Sequence, residues 1–301
     1  YLDCYGNYLT SLDVTANTAL THLECAYNHR LLASLDVSKN TALIYLSCHD
    51  NKLTSLDVSA NTALIYLKCS ENQLTSLDVN GATALTELHC YNNQLTSLDV
   101  SANTALTSLY CGDNDLTSLD VSANTALTNL HFNQNQLTSM DLSKNTALTY
   151  LRCDVNQLTS LDVSSNTALI YLETHYNQLT YLNMRNGITD ALKIFNATSN
   201  SSLTCIETLD PDYATANWIS SNGNIDIDAG VTFAVICGGT DLTTWHVATT
   251  GSDASGSGTE TSPLATIQTG INAATDSDTV LVAAGTYNEN ITFGGTKAVL
   301  A

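Results

Sequence analysis

Residues 106–126 read LTSLYCGDNDLTSLDVSANTA, and units of this pattern follow one another along the N-terminal part of the 301-residue chain. One column marks the period, and its successive occupants are Cys4, Cys25, Cys48, Cys69, Cys90, Cys111, Phe132, Cys153 and Thr174. Every step is 21 residues except the 23-residue step from Cys25 to Cys48. A fixed period of this length is typical of a solenoid, in which each repeat is one coil that buries its apolar face against its neighbours.

Each unit contains two short alternating segments, residues 109–111 and 119–121 in the unit quoted above. Apolar and outward side chains alternate there with a period of two, which is typical of short strands with one buried face. We therefore expect a β-class solenoid of nine coils, with two short strands on opposite sides of each coil and few or no helices. Leu, Val, Cys and Ala are expected to point inward and form a continuous core.

Two columns of asparagine accompany the strands. The first holds Asn7, Asn28, Asn51, Asn72, Asn93, Asn114, Asn135, Asn156 and Asn177. The second holds Asn17, Asn40, Asn61, Asn103, Asn124, Asn145 and Asn166 and is interrupted by Ala82. Because a buried amide can bond free backbone groups at a sharp turn, we expect both columns to join each coil to the next.

The unit contains the motif LxxLxLxxNxL, with Cys at the third apolar place, and the pattern recurs half a turn later. Residues 1–186 therefore resemble the bacterial class of leucine-rich repeats with a nested 21-residue period, known as IRREKO repeats. The resemblance implies a leucine-rich-repeat solenoid of parallel strands. It implies no particular ligand, since repeat folds carry many functions.

The cysteines fall into two groups. Seven of the nine lie in the repeat column, where Phe132 also occurs, so this position is predicted to be an inward apolar site with free thiols. Residues 187–240 resemble the C-terminal cap of secreted bacterial surface leucine-rich-repeat proteins, through residues 203–206 (LTCI), residues 210–218 (DPDYATANW) and the closing Cys237. This resemblance implies a disulfide between Cys205 and Cys237. A disulfide persists in an oxidising compartment, so the protein is expected to be secreted or at the cell surface.

Residues 241–301 differ from the repeats. They resemble the start of a right-handed parallel β-helix of the pectin-lyase-like class, through residues 251–253, 263–267, 278–280 and 285–291. We predict a strand at 245–248, a helix at 263–274 opened by Pro263, and strands and turns at 279–283, 285–287 and 290–293. Catalytic residues of that class lie on later coils, so none is assigned here. Both ends of the sequence are expected to fall inside modules of a longer protein.

The net charge of the chain limits the classes of partner that it is expected to bind. Nine Lys and Arg residues stand against 29 Asp and Glu residues, a formal net charge of −20. Such a surface argues against binding nucleic acid and against anionic membrane surfaces. No apolar run approaches the roughly 18 residues of a transmembrane helix, and no P-loop, HExxH, GxSxG, EF-hand or CxxC motif occurs. The chain is therefore predicted to be non-catalytic, without membrane insertion.

The outward residues of the Cys-containing half-turn vary and are rich in Tyr and His, whereas those of the second half-turn barely change. We predict that the variable positions form a ligand-binding face. Its candidate residues are Tyr45, Tyr66, His89, Tyr91, Tyr110, His131, Tyr150, Arg152, Tyr171 and His175. Tyr45 with Tyr66, and Tyr150 with Tyr171, should form two aromatic pairs about 5 Å apart. The alternative is an exposed face under relaxed selection.

A column of acidic residues marks the second half-turn. It consists of Asp13, Asp36, Asp57, Asp78, Asp99, Asp120, Asp141 and Asp162, followed by Asn183. Carboxylates about 5 Å apart repel one another, so we expect hydrogen bonds from neighbouring hydroxyls and turn amides to offset the repulsion. Weak Ca²⁺ binding along the column is the alternative, because one carboxylate per coil falls short of the ligands that Ca²⁺ prefers. No cofactor is predicted. His89 and His131 should lie near 10 Å apart, too far for a shared metal.

Three functions are compatible with these patterns. The first is a binding or adhesion module that recognises a protein or carbohydrate at the cell surface through the variable face. The second is a structural subunit or stiff spacer of an extracellular fibre, which would involve self-association. The third is an accessory region of a polysaccharide-acting enzyme whose catalytic part lies beyond Ala301.

Overall fold

The computed structural model describes residues 1–188, 190–218, 224–237, 244–274 and 278–293. Within them the chain forms a parallel β-solenoid with little helix, which confirms the predicted fold class. The strands are β1 (Leu2–Asp3), β2 (His22–Glu24), β3 (Tyr45–Ser47), β4 (Ser55–Asp57), β5 (Tyr66–Lys68), β6 (Ser76–Asp78), β7 (Glu87–His89), β8 (Ser108–Tyr110), β9 (Asn129–His131), β10 (Tyr150–Arg152), β11 (Ser160–Asp162), β12 (Tyr171–Glu173), β13 (Tyr181–Asn183), β14 (Ile194–Asn196), β15 (Cys205–Glu207), β16 (Ile225–Asp226), β17 (Thr232–Ala234), β18 (Thr244–Val247) and β19 (Thr279–Val282). The helices are α1 (Pro211–Asn217) and α2 (Ile267–Ala273).

One side of the solenoid is a continuous 11-stranded sheet of order β1-β2-β3-β5-β7-β8-β9-β10-β12-β14-β16. Its register advances by one repeat per strand, so that Leu46 pairs with Leu67 and Leu151 pairs with Leu172. The last two strands belong to the segment predicted as a cap and add rungs through Phe195 and Ile225. The stack therefore continues beyond the nine predicted coils, because these cap residues supply the same inward apolar position.

The opposite side is less regular than predicted. Strands occur there in two short sheets, β4-β6 and β11-β13-β15-β17, and the described residues 97–99, 118–120 and 139–141 form no strand. The prediction of two strands in every coil was therefore wrong.

Leucine and cysteine columns form the core. Leu67, Leu88 and Leu109 are fully buried, and the core continues without a break from Val14 to Ile225. Six column cysteines are buried free thiols, and burial raises the pKa of Cys111 to about 12. Phe132 is as fully buried as its cysteine neighbours. The column is thus an inward apolar position, and its thiols are not poised to ionise.

The first asparagine column joins successive coils. Nδ2 of Asn114 donates to the carbonyls of Cys111 and Gly112 in its own turn, at 3.2 and 3.1 Å, and to Cys90 of the preceding coil at 3.1 Å. Its Oδ1 accepts from the backbone N–H of Leu95 at 3.0 Å. These bonds hold a turn in which the preceding residue, Asp113, has a left-handed φ of 54°. The amide therefore stabilises a backbone conformation that most side chains avoid.

The second asparagine column makes fewer bonds. Nδ2 of Asn103 donates to the carbonyls of Val79 and Ala82 in the preceding coil, at 2.9 and 2.8 Å, whereas its Oδ1 has no partner in the described chain. At Ala82 the column is interrupted, and a Cβ on the adjacent Gly81 would overlap the carbonyl of Ser59. The coil thus approaches its neighbour closely where the amide is missing, which explains why glycine and alanine occur together.

The two asparagine columns should contribute different amounts to the free energy of unfolding. We expect Asn114→Ala to lower the free energy of unfolding by about 2–3 kcal/mol, because it removes four hydrogen bonds and leaves buried backbone groups unpaired. Asn103→Ala, the matched control, should cost about 1 kcal/mol, because it removes two bonds together with an unpaired Oδ1. Urea unfolding of both variants provides the measurement. Equal losses would contradict the distinction.

The cap closes the C-terminal end of the core. Cys205 on β15 is bonded to Cys237, as predicted, with their Cα atoms 5.8 Å apart. Helix α1 begins after Asp210, whose side chain accepts from the Tyr213 N–H, and it ends at Asn217, with Trp218 as its C-cap. The Trp218 ring lies edge-on to Phe195 at 5.2 Å and to Phe233 at 5.5 Å. These three rings cover the apolar end that a solenoid would otherwise expose.

The segment after the cap is a small parallel unit. Strands β18 and β19 pair in parallel, and α2 lies between them in sequence. The helix begins at Ile267 with Thr266 as its N-cap, so the prediction that Pro263 opens it was wrong. Asp253 and Glu289 accept the backbone N–H groups around this start. The described residues 290–293 form no strand, and the predicted boundary between residues 240 and 241 lies outside the described residues.

A buried ion pair connects the solenoid, the cap and this last segment. Nη2 of Arg185 lies 3.2 Å from Oε2 of Glu207, and both side chains are about 95% buried. Arg185 also donates through Nη1 to the carbonyl of Gly256 at 2.8 Å and through Nε to Oδ1 of Asn183 at 3.3 Å. Glu207 accepts in turn from the Cys237 N–H at 3.0 Å. The pair therefore fixes the position of the segment after the cap.

Candidate ligand-binding face

Each three-residue strand of the long sheet buries its middle residue and directs its two flanking side chains outward. In β5, for example, Leu67 is fully buried while Tyr66 and Lys68 are half-buried. Because the coils stack in register, the outward residues of successive strands lie side by side at the strand spacing of about 4.8 Å. Ring-bearing residues on this face can therefore contact one another across coils.

These rings form a continuous row, which we call the aromatic ladder. Its members are Tyr1, His22, Tyr45, Tyr66, His89, Tyr110, His131, Tyr150 and Tyr171. Consecutive ring centroids lie between 3.7 and 6.0 Å apart. The predicted pairs are confirmed, with Tyr45 stacked on Tyr66 at 4.7 Å and Tyr150 on Tyr171 at 3.7 Å.

The ladder changes position within the sheet. Tyr1 directly precedes β1, and the other rings at the two ends come from the first residue of their strands, whereas His89, Tyr110 and His131 come from the third. The rings of Tyr66 and His89 bridge the change at 5.6 Å, and those of His131 and Tyr150 bridge it at 5.0 Å. The sequence pattern indicated two separate pairs, because it compared residues only within one column.

The predicted site residues therefore lie on one face, although not all of them join the ladder. Tyr91 contacts His89 edge-on at 6.3 Å and stands beside the ladder. Nε of Arg152 lies 2.8 Å from Asp154 and 2.9 Å from Glu173, which also accepts from the hydroxyl of Tyr171 at 2.6 Å.

His175 lies outside the ladder, with its Nε2 3.7 Å from a carboxylate oxygen of Asp154. Burial, and then the neighbouring Glu173 carboxylate, raise the pKa of Tyr171. This end of the face is therefore a compact group of charges whose positive and negative members are already paired.

The structure adds a hollow that the list of predicted residues did not contain. It measures about 320 Å³ and lies between Tyr91, Tyr110, His131 and Arg152. Its remaining lining residues are Asn92, Gly112, Asp113, Asn133 and Gln134. One signal was visible in the sequence, because Gly112 is the residue without a side chain in a column that otherwise carries Tyr, Ala, His, Ser, Asn and Asp.

Two histidines of the face are held neutral. Burial, reinforced by the positive charge of Arg152, lowers the pKa of His131 to about 4. Burial and Lys68 act in the same way on His49, whose pKa is also about 4. The face therefore presents these imidazoles as uncharged rings at neutral pH.

A pH dependence follows from these two groups. As the pH falls below about 6.5, the unfolded chain takes up protons that folded His49 and His131 refuse, so stability is lost between about pH 6.5 and about pH 4. We expect a smaller difference in urea midpoint between about pH 7.5 and about pH 5 for His131→Gln than for the wild type. NMR titration of His131 checks the cause directly. A midpoint near 6.5 for folded His131 would contradict it.

The acidic column on the opposite side is supported by hydrogen bonds. Oδ1 of each aspartate accepts the backbone N–H two residues later, as for Asp99 with Ser101 at 2.9 Å and Asp120 with Ser122 at 2.8 Å. Bonds from these serines lower the pKa of both carboxyls. Asn183 makes the same bond to Arg185 N–H at 3.0 Å without a charge. Weak Ca²⁺ binding along the column stays the alternative to these hydrogen bonds.

Within the described part of the chain, no three His, Cys, Asp or Glu side chains come together as a group that could hold a metal ion. Neither described helix is long and apolar enough to span a bilayer.

Comparison with known proteins finds a matching repeat family and similar solved structures. A family model of leucine-rich repeats in two copies matches residues 83–124. The functional domain of InlJ from Listeria monocytogenes, described as including a cysteine ladder, is 41% identical, with a TM-score of 0.63 over 69% of this chain and 48% of that one. The internalin InlF from the same species is 25% identical, with a TM-score of 0.53 over 65% of this chain and 56% of that one. No curated protein matches the sequence.

The chain is thus a leucine-rich-repeat solenoid similar in structure to internalin domains, and it spans about half the length of the solved structures that it matches. This chain has a column of buried free cysteines. The nested 21-residue class and the pectin-lyase-like relationship of residues 241–301 stay predictions.

Proposed function

We propose that this solenoid is a non-catalytic binding module that works outside the cytoplasm and contacts its ligand through the aromatic ladder. The observation that carries the proposal is the row of nine outward rings on the long sheet. Tyrosine supplies a large amphipathic contact area at low entropic cost, which suits protein and carbohydrate ligands. The disulfide between Cys205 and Cys237 supports an oxidising, extracellular location.

The rings of the aromatic ladder are already ordered and remain partly exposed, and both properties favour ligand binding. Stacking already orders its rings, so little side-chain freedom remains to be lost when a ligand binds. Tyr45, Tyr66, Tyr150 and Tyr171 are only half-buried, which leaves ring area for a partner. The neutral imidazole of His131 adds ring area without the desolvation cost of a charge.

Removing the pair at the C-terminal end of the ladder should weaken binding without unfolding the protein. For Tyr150→Ala/Tyr171→Ala we expect at least about 30-fold weaker binding, since losing a contact hot spot costs about 2 kcal/mol or more. The assay presents purified extracellular protein domains and glycans to the immobilised solenoid. Asp120→Asn, on the opposite side, is the control and should keep wild-type binding. Equal retention of every ligand by the wild type and the double variant would count against the proposal.

A structural role in a fibre is the second candidate. Successive coils carry nearly the same outward residues on the side of the aspartate column, such as Ser118 and Asp120 in one coil and Ser97 and Asp99 in the coil before. A uniform surface of this kind suits regular self-association. Sedimentation of the wild type at rising protein concentration separates the two candidates, since a fibre subunit assembles and a binding module stays monomeric.

A further inference from the structure

The hollow on the ladder face has an unusual origin. Residue 112 follows the buried Cys111, in a position that carries Tyr91 in the preceding coil and Asn133 in the next. Because Gly112 has no side chain, the Asn133 side chain lies directly against it, and a Cβ on Gly112 would lie 2.6 Å from Oδ1 of Asn133. The hollow opens beside this contact and is lined by both residues and by Tyr91.

Three carboxamide side chains line the hollow, those of Asn92, Asn133 and Gln134. Asn92 and Gln134 are exposed to solvent, and Asn133 is 9% exposed. Three carboxamides therefore offer donors and acceptors to a ligand at one place.

The remaining walls restrict the chemistry of that ligand. Tyr91, Tyr110 and His131 present aromatic rings, so one side of the hollow is suited to apolar C–H groups. Arg152 is already paired through Nε with two carboxylates and therefore offers little net attraction to an anion. Exposed Asp113 at the rim further disfavours a negative ligand. The match is a neutral molecule with one C–H face and several hydroxyls.

We propose that the hollow between Tyr91, Gly112 and Asn133 is a carbohydrate subsite that takes one or two neutral pyranose rings. Its volume of about 320 Å³ lies at the lower end of the range for small-molecule sites. The ring face of the sugar packs on the tyrosines, and its hydroxyls bond the amides of Asn92, Asn133 and Gln134. This inference rests on the proposed binding function and names the ligand class for one part of the same face.

The test uses the whole chain and simple sugars. Methyl glycosides of glucose, galactose, mannose and N-acetylglucosamine are titrated to millimolar concentrations, and NMR follows the side-chain amide signals of Asn92, Asn133 and Gln134. At least one glycoside should shift all three signals. Gly112→Tyr, whose side chain must displace that of Asn133 at the edge of the hollow, should weaken that binding by at least about 10-fold. Ser122→Tyr adds the same ring on the opposite side of the coil and should bind like the wild type.

Asn133→Ala guards against a folding defect in Gly112→Tyr, because it removes an amide without adding volume. It should also weaken binding by about 10-fold. No shift with any glycoside, or shifts of equal size in the wild type, Gly112→Tyr and Asn133→Ala, would overturn the subsite.

The two proposals fail in different ways. If ligands are lost on Tyr150→Ala/Tyr171→Ala but no glycoside shifts the three amides, the binding face stands and the sugar subsite falls. If the double variant keeps every ligand and the glycosides still shift the amides, the ladder falls while the subsite stands as a separate site.

Discussion

Replacing Arg185 by methionine is expected to lower the free energy of unfolding by about 3–5 kcal/mol. The change leaves the Glu207 carboxylate, which is about 96% buried, without its positive partner. It also removes the bonds to Gly256 and Asn183 that attach the segment after the cap. Urea unfolding measures the loss, and hydrogen exchange should show faster opening in residues 244–274 than in the central coils.

The charge itself can be separated from the hydrogen bonds. In Arg185→Met/Glu207→Gln the second substitution neutralises the stranded carboxylate while an amide oxygen remains to accept from the Cys237 N–H. The double variant should therefore regain at least about half of the stability lost in Arg185→Met. A double variant as unstable as Arg185→Met would show that the bonds to Gly256 and Asn183 dominate, and that the buried charge does not.

Removing the cap disulfide should have an effect of similar size. Cys205 and Cys237 are 32 residues apart, and opening a loop of that length frees the unfolded chain by an entropy worth about 3.5–4 kcal/mol. We expect Cys205→Ser/Cys237→Ser to lower the stability of the C-terminal coils by that amount. Cys69→Ala, in the thiol column, is the matched control and should cost less, because it removes a small buried group and no cross-link.

Reduction gives an independent measurement of the same cross-link. Alkylation of the folded protein without reductant should leave Cys205 and Cys237 unmodified, and a reductant should make both reactive. Modification of both in the unreduced folded protein would contradict the bond. The repeat thiols such as Cys111 should react only after unfolding, because burial raises their pKa and blocks access.

Several features could be predicted from the sequence because they depend on neighbours along the chain. The alternation around Leu109 and Leu119 decides which side chains point inward, and the asparagine at each turn satisfies backbone groups of its own coil. The replacement of cysteine by Phe132 in one column showed that the position is apolar. The cap disulfide followed from resemblance to known caps and not from the spacing of its cysteines.

Other features depended on how the coils stack. Residues 97–99, 118–120 and 139–141 form no strand although they have the same alternating pattern as β4 and β6, so the local pattern alone does not distinguish them. The helix of the last segment begins at Ile267, because side chains distant in sequence, Asp253 and Glu289, bond its first N–H groups. Pro263 alone pointed to an earlier start.

The features of the candidate site also fall into those set by the local sequence and those set by the stacking of the coils. The sequence by itself determined which tyrosines and histidines face outward, because strand alternation is a local property of the backbone. Only the tertiary structure decided that Tyr66 contacts His89 across two columns. It also decided that the Asn133 side chain lies against Gly112 at the hollow, and that Arg185 bonds Gly256, 71 residues away. These contacts depend on the distance and offset between coils, which the packing of the whole stack sets and no single repeat encodes.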